Sequence, residues 1–159
     1  MRINRFAIFA TALLLVALAL SVTAAAADEH SGTWKMSPAK SKYSPGPAAK
    51  SVNLKIESDE NGVKIDAQGT DGDGNPTHVE YTAKFDDKDY PVNGVPNVDT
   101  VSVKRIDANT IEATMKKGDQ VVMTVISKVS KDGKTRTSTF KGKDAQGRAV
   151  NNVVVYDKQ

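Results

Sequence analysis

Apolar residues recur at every second position through most of the chain, and this alternation limits the fold more than any other feature. In SVNLKIES, Val52, Leu54 and Ile56 alternate with polar residues. Period two indicates a β-strand with one face covered and the other in water. No stretch after residue 27 shows a helical period, so the sequence predicts an all-β domain. The pattern is repeated in segments 63–67, 79–85, 101–103, 111–115, 121–125, 135–140 and 153–156.

Short turns separate these segments. Asn61-Gly62, Asp107-Ala108-Asn109, Lys117-Gly118-Asp119 and Asp132-Gly133 each offer a residue that tolerates positive φ. Because nearly every strand leads directly into the next, a meander is favoured over a Greek-key sandwich. A long meander loses its exposed edges when it closes on itself. We therefore expect an antiparallel up-and-down β-barrel of about eight or nine strands, with a sandwich as the alternative.

Residues 1–27 have the features of a secretory signal peptide. Arg2 and Arg5 precede FAIFATALLLVALAL, which is shorter than the ~20 residues that a membrane span needs. Ala25-Ala26-Ala27 is the expected cleavage site, which leaves a single β-barrel domain over residues 28–159. The expected location is the periplasm or the exterior, and the alternative is an uncleaved N-terminal anchor. The chain has no Cys, so no disulfide is expected.

Charge and motifs argue against nucleic-acid binding and against catalysis. Two of the three net positive charges lie on Arg2 and Arg5, and the remaining charges are interspersed. His78 and Glu80 share the exposed face of one strand, and the sequence has neither a nucleophile elbow nor a zinc-protease motif. An enzyme is therefore not expected.

Cleavage before Asp28 would create one candidate metal site. The chain would then begin Asp28-Glu29-His30, and its free amine, two backbone nitrogens and the His30 imidazole make four nitrogen ligands. Square-planar nitrogen ligation suits Cu(II). The alternative is a polar leader ahead of the first strand that binds no metal. No other cofactor is expected.

Gly32-Thr33-Trp34 opens the first expected strand, ahead of the meander. This arrangement resembles that of the calycins, the group of lipocalins and fatty-acid-binding proteins, in which the Trp closes the narrow end of the barrel. The second half of the chain is similar in rhythm to the fatty-acid-binding proteins. The stretches SGTW and SKYSPGP resemble small exported bacterial proteins, a likeness that implies no particular activity. The calycin resemblance implies a barrel that binds a small apolar or amphipathic molecule in its interior.

Two departures from the fatty-acid-binding proteins affect that expectation. Tyr156 matches a Tyr on their last strand, but Val154 stands where they have the Arg that holds the ligand carboxylate. Their helical lid is replaced by SPAKSKYSPGPAAK, which is too rich in Pro and Gly for paired helices. Fatty-acid binding in that family's manner is therefore not expected.

Arg136 is a candidate substitute for the missing cation. If Phe140 points inward, Arg136 and Ser138 do so too, because side chains on a strand alternate between faces. An inward Arg would be unfavourable unless it met an anion. With the opposite parity, Thr135, Thr137 and Thr139 face inward and Arg136 faces water.

The expected function is the binding of a small apolar or amphipathic ligand inside the barrel. The alternative is a barrel filled by its own side chains, which acts as an envelope or interaction protein through its outer face or through loops 38–48 and 90–97. The sequence leaves the ligand, the partners and the oligomeric state open. The residues expected to line a ligand site are Trp34, Tyr81, Phe85, Met115, Met123, Arg136, Phe140 and Tyr156.

Overall fold

A computed structural model of the protein describes residues 28–159. The predicted signal peptide and its cleavage site lie outside the described residues. Within that range ten antiparallel strands form a closed barrel, in which each strand pairs with its neighbours along the chain and β10 pairs with β1. The strands are β1 Gly32–Met36, β2 Ser51–Ser58, β3 Gly62–Thr70, β4 Pro76–Lys84, β5 Tyr90–Asn93, β6 Thr100–Asp107, β7 Thr110–Lys117, β8 Gln120–Val129, β9 Thr135–Lys143 and β10 Ala149–Lys158.

The structure confirms the all-β meander and its closure into a barrel. It has ten strands, one more than the eight or nine that were expected. The additional strand is β5, which lies in the segment 90–97 that was expected to be a loop. It makes only two residue pairs with β4 and two with β6. Pro91 has no N–H to donate to a sheet ladder, and a Pro within a segment argues against a strand. The sequence of this segment therefore did not predict β5. None of the helices in residues 28–159 is long and apolar enough to cross a membrane.

The barrel has two ends, which we call the base and the rim. Residues 28–31 lie at the base, where the Ser31 hydroxyl donates a hydrogen bond to the Ser58 carbonyl (2.9 Å). The base also carries loops 59–61, 85–89, 108–109 and 130–134. The rim carries loops 37–50, 71–75, 94–99, 118–119 and 144–148.

Inward side chains follow the expected alternation except where a β-bulge interrupts it. On β8, Met123 pairs with Met115 but Val121 pairs with Lys116, so Val122 is an extra residue in the ladder. The bulge reverses the direction of the residues beyond it. Val121, expected to point inward with Met123, is therefore 59% exposed, and Val122 packs against the core instead.

Candidate ligand-binding cavity

The barrel interior contains a cavity of about 320 Å³ that extends from Arg136, near the base, to Tyr43 and Asn152 at the rim. Leu54, Ile65 and Val125 form aliphatic parts of its wall, and Ala67 and Ala113 leave space because their side chains are short. Most of the remaining lining is also apolar, a composition typical of sites that bind small molecules.

Six of the eight residues expected to line a ligand site do line this cavity, and two do not. Trp34 is fully buried at the base, with the Lys158 ammonium 5.0 Å from the centre of its ring. Phe85, also near the base, has the Arg105 guanidinium 4.4 Å from its ring centre. Both aromatic side chains therefore belong to the base and not to the cavity wall. The six that line the cavity are Tyr81, Met115, Met123, Arg136, Phe140 and Tyr156.

Arg136 faces the interior and is 4% exposed. On β9 it lies opposite Tyr156 of β10 and Val129 of β8, two inward-facing residues. Antiparallel neighbours in register share a face of the sheet, so this pairing fixes the parity of β9. Ser138 and Phe140 point inward with Arg136, as the first of the two alternatives required.

The Arg136 guanidinium has few partners for a buried cation. Its Nη1 donates a hydrogen bond to His30 Nδ1 (2.6 Å), whereas its Nε has no partner. Within residues 28–159 no carboxylate forms an ion pair with it. Burial lowers the pKa of Arg136 to about 10, and Tyr81, Tyr156 and the charge of the Asp28 carboxylate act in the opposite direction. Because this pKa stays well above neutral, the group remains a cation.

Several residues with hydroxyl groups line the same cavity as this cation. Burial raises the pKa of both Tyr81 and Tyr156, so both phenols stay neutral and able to donate a hydrogen bond. The Ser127 and Ser138 hydroxyls lie 2.8 Å apart and also line the cavity. The base-proximal part of the cavity therefore combines one cation with several hydroxyls, while the rest of the wall is mainly apolar.

The first residues of the described chain cover the base side of Arg136. His30 is fully buried, its backbone carbonyl accepts a hydrogen bond from Trp34 Nε1 (3.0 Å), and its amide donates to Asp28 Oδ1 (2.9 Å). The Asp28 carboxylate pairs in turn with Arg105. Burial, and next the charge of Arg136, lower the pKa of His30 to about 4, so its ring is neutral at pH 7.

The polar-leader expectation for Asp28-Glu29-His30 does not hold in this geometry, and the copper site, which requires cleavage before Asp28, stays a prediction. The segment is not a free polar leader, because it packs into the base. The His30 ring is fully buried and its Nδ1 accepts the Arg136 hydrogen bond. Copper could reach that ring only if the segment left the base. Within residues 28–159, no cluster of three His, Cys, Asp or Glu side chains is arranged to hold a metal ion.

The connection between β1 and β2 crosses the rim where fatty-acid-binding proteins have a helical lid. It holds only one 3-10 turn, Pro38–Lys40, and otherwise has no helix. Lys42 and Val153 exchange backbone hydrogen bonds (2.7 and 2.8 Å), and the Ser44 amide donates to Asn152 Oδ1 (2.8 Å). These bonds fix the connection to β10 and place Tyr43 against the cavity.

Four polar residues of the cavity, Tyr43, Thr77, Ser127 and Asn152, were not singled out from the sequence. Thr77 lies two positions from Val79, which also lines the cavity. Ser127 lies two positions from Val125 and from Val129, and Asn152 lies two positions from Val154, so the period of two would have assigned both to the interior. Tyr43 lies in an irregular segment, and no periodic pattern indicates its direction.

Neither a protein-family model nor a curated protein matches this chain. The described structure is a closed ten-stranded antiparallel β-barrel with an internal, mainly apolar cavity and a buried cation at the base side of that cavity.

Proposed function

We propose that the protein is an exported, calycin-like carrier that binds one small amphipathic molecule with an anionic head group inside the barrel. The observation that carries this proposal is Arg136, a buried cation that lines an apolar cavity and has no carboxylate partner within residues 28–159. The head group would lie at this guanidinium, and the apolar part would extend toward the rim.

Electrostatics favour an anion at this position. A buried, unpaired charge is unfavourable because it loses its hydration without gaining a counter-ion. The Nε of Arg136 is buried without a hydrogen-bond partner within residues 28–159, and Tyr156 and Tyr81 offer neutral O–H donors on the cavity wall. A charge-assisted hydrogen bond formed away from water is stronger than one between neutral groups.

The apolar wall supports the second half of the proposal. Each methylene group of a ligand that moves from water into such a site contributes about 0.8 kcal/mol. Met115 and Met123 are unbranched, polarizable side chains that adapt to irregular shapes. A filled barrel that acts only through its surface would leave both the open space and the unpaired cation without a role.

Calorimetric titration of residues 28–159 with dodecanoate and with uncharged dodecanol tests the proposal. Arg136→Met should weaken dodecanoate binding by about tenfold or more, since hydrogen bonds to charged groups contribute about 1.5–3 kcal/mol. Dodecanol binding should change much less, and Arg136→Lys should restore part of the dodecanoate affinity. Near-ultraviolet circular dichroism of each variant serves as the folding control.

Two results would contradict the proposal. One is that neither dodecanoate nor dodecanol binds. The other is that Arg136→Met lowers the affinity for both compounds by the same factor. Native mass spectrometry of the protein purified from a bacterial periplasm adds an independent measurement. Its intact mass would show whether the exported chain begins at Asp28, and a solvent-extractable adduct would supply the natural ligand.

A further inference from the structure

A second concave region lies at the rim, between loops 94–99 and 144–148. We call it the rim groove; its volume is about 320 Å³, so it offers as much space as the internal cavity. Val95, Val98 and Val122 line it and are half-buried. A groove formed by several partly exposed aliphatic side chains is suited to cover by another apolar group.

The rim groove adjoins the internal cavity. Three side chains, Val95, Met115 and Met123, line both spaces. The two methionines have flexible, unbranched side chains, so a change of rotamer at either one can open a passage between the two spaces. A chain-like molecule could therefore extend from one space into the other without a change in the backbone.

The β8 bulge provides the apolar character of the groove. Without the extra residue, Val122 would continue the alternation from Met123 and point away from the interior. With it, Val122 packs against the core beside Met123, and Val121 is the residue that faces water.

Charge favours an uncharged occupant in the groove. Two basic residues, Lys143 and Arg148, line the groove. Arg148 donates a hydrogen bond from Nε to the Asp144 carboxylate (2.6 Å), so these two charges compensate each other. Lys143 is exposed, and a flexible exposed ammonium can remain in water beside a bound apolar chain. The only buried cation that lines either space is Arg136, at the far side of the internal cavity.

We propose that the rim groove binds the distal part of the ligand's alkyl chain, so that the ligand is a single-chain anionic amphiphile longer than the internal cavity. This inference rests on the proposed function. The head group lies at Arg136, the chain passes Met115 and Met123, and its end lies against Val122 and Val98. Longer chains bind more tightly than shorter ones because their added methylene groups are also covered.

A chain-length series on matched variants tests this assignment. The probes are octanoate, dodecanoate and hexadecanoate, and the variants are Val122→Asp and Val121→Asp. The two variants add the same charge at adjacent positions on opposite faces of β8, so a long-range repulsion of the anionic ligand affects both equally. In the unmodified protein, affinity should rise by about fourfold for each methylene that the groove covers.

Val122→Asp should leave octanoate affinity within twofold of the Val121→Asp value and lower hexadecanoate affinity by at least tenfold relative to it. If Val122→Asp does not fold, Ala145→Trp replaces it, because Ala145 lies in an exposed loop and a Trp there would fill the groove. Ala145→Trp should cause the same selective loss.

The results separate this inference from the proposed function. If short and long carboxylates bind through Arg136 but the groove variants do not discriminate between them, the tail site is overturned and the carrier proposal stands. If no carboxylate of any length binds, both are overturned. A hexadecanoate-selective loss in Val122→Asp or Ala145→Trp, with Val121→Asp unaffected, supports the tail site.

Discussion

Two inward positions on β8, four residues apart, illustrate the difference between the two ends of the barrel. Val129 lies near the base, is 1% exposed and touches no cavity, whereas Val125 forms part of the cavity wall. Val129 lies opposite Arg136 in the β8–β9 ladder, and the same end of the barrel holds the fully buried Trp34 and His30. Around Val125 the small Ala113 leaves space.

The comparison shows that the strand pattern and the cavity have different origins. Alternation decides only that a side chain points inward. Whether the interior is filled or hollow depends on the volumes of the inward residues at each level of the barrel, and a barrel of this size permits both outcomes. The end of the barrel around Trp34 and His30 is a packed and internally hydrogen-bonded core, and the part between Arg136 and the rim is a wall around open space.

The largest expected effect on stability is at the base. Trp34→Ala removes a fully buried ring and should lower the free energy of unfolding by about 3–5 kcal/mol, as measured by urea unfolding. Trp34→Phe keeps most of the buried ring area but loses the hydrogen bond from Nε1 to the His30 carbonyl. Its free energy of unfolding should therefore fall by clearly less than that of Trp34→Ala. Equal losses in the two variants would mean that the hydrogen bond, and not the packed ring, dominates.

The next effect depends on pH. The pKa of His30 falls from 6.5 in the unfolded chain to about 4 in the folded protein, so between these values the unfolded chain binds a proton that the folded protein does not. The free energy of unfolding should therefore decrease as the pH falls from 6.5 to 4, by about 3 kcal/mol from this group.

His30→Asn is the control for that measurement, because its side-chain oxygen can still accept a hydrogen bond from Arg136 but does not titrate. As the pH falls through this window, the free energy of unfolding of wild type should decrease relative to that of His30→Asn, as followed by urea unfolding at several pH values. A difference independent of pH would show that His30 is accessible to protons in the folded protein.

The smallest expected effect is the difference between equivalent substitutions at Val129 and Val125. Val129→Leu adds a methylene to a filled region and should lower the free energy of unfolding by about 1–3 kcal/mol. Val125→Leu adds the same group where the cavity has room, so its change should be below about 1 kcal/mol. Thermal or urea unfolding of both variants measures the difference. If both variants lose the same free energy of unfolding, the packing around Val129 does not differ from the packing around Val125.

Much of the fold followed from the sequence, because alternation and turn residues are local signals. They predicted the all-β meander and its closure, and the position of Trp34 in β1. Two local irregularities were not predictable in this way. The short β5 contains Pro91, and the bulge at Val122 changes the direction of Val121 without any residue that marks it.

The site was less predictable because its key features depend on register between distant strands. The β9 sequence allowed Arg136 to face either way, and only its pairing with Tyr156 and Val129 fixes the direction. The burial of His30 depends on a contact with Arg136, 106 positions away along the chain. Neither fact is contained in a local pattern, and for that reason the sequence did not indicate that His30 is buried in the base.

The placement of Trp34 also has an optical consequence. It is the only Trp in the sequence, and it lies in the base, outside the cavity wall. Its fluorescence therefore follows the integrity of the base, while Tyr43, Tyr81 and Tyr156 on the cavity wall provide separate chromophores. Trp emission and Tyr absorbance thus form two intrinsic channels, one for unfolding of the base and one for events in the cavity, and no added label is needed.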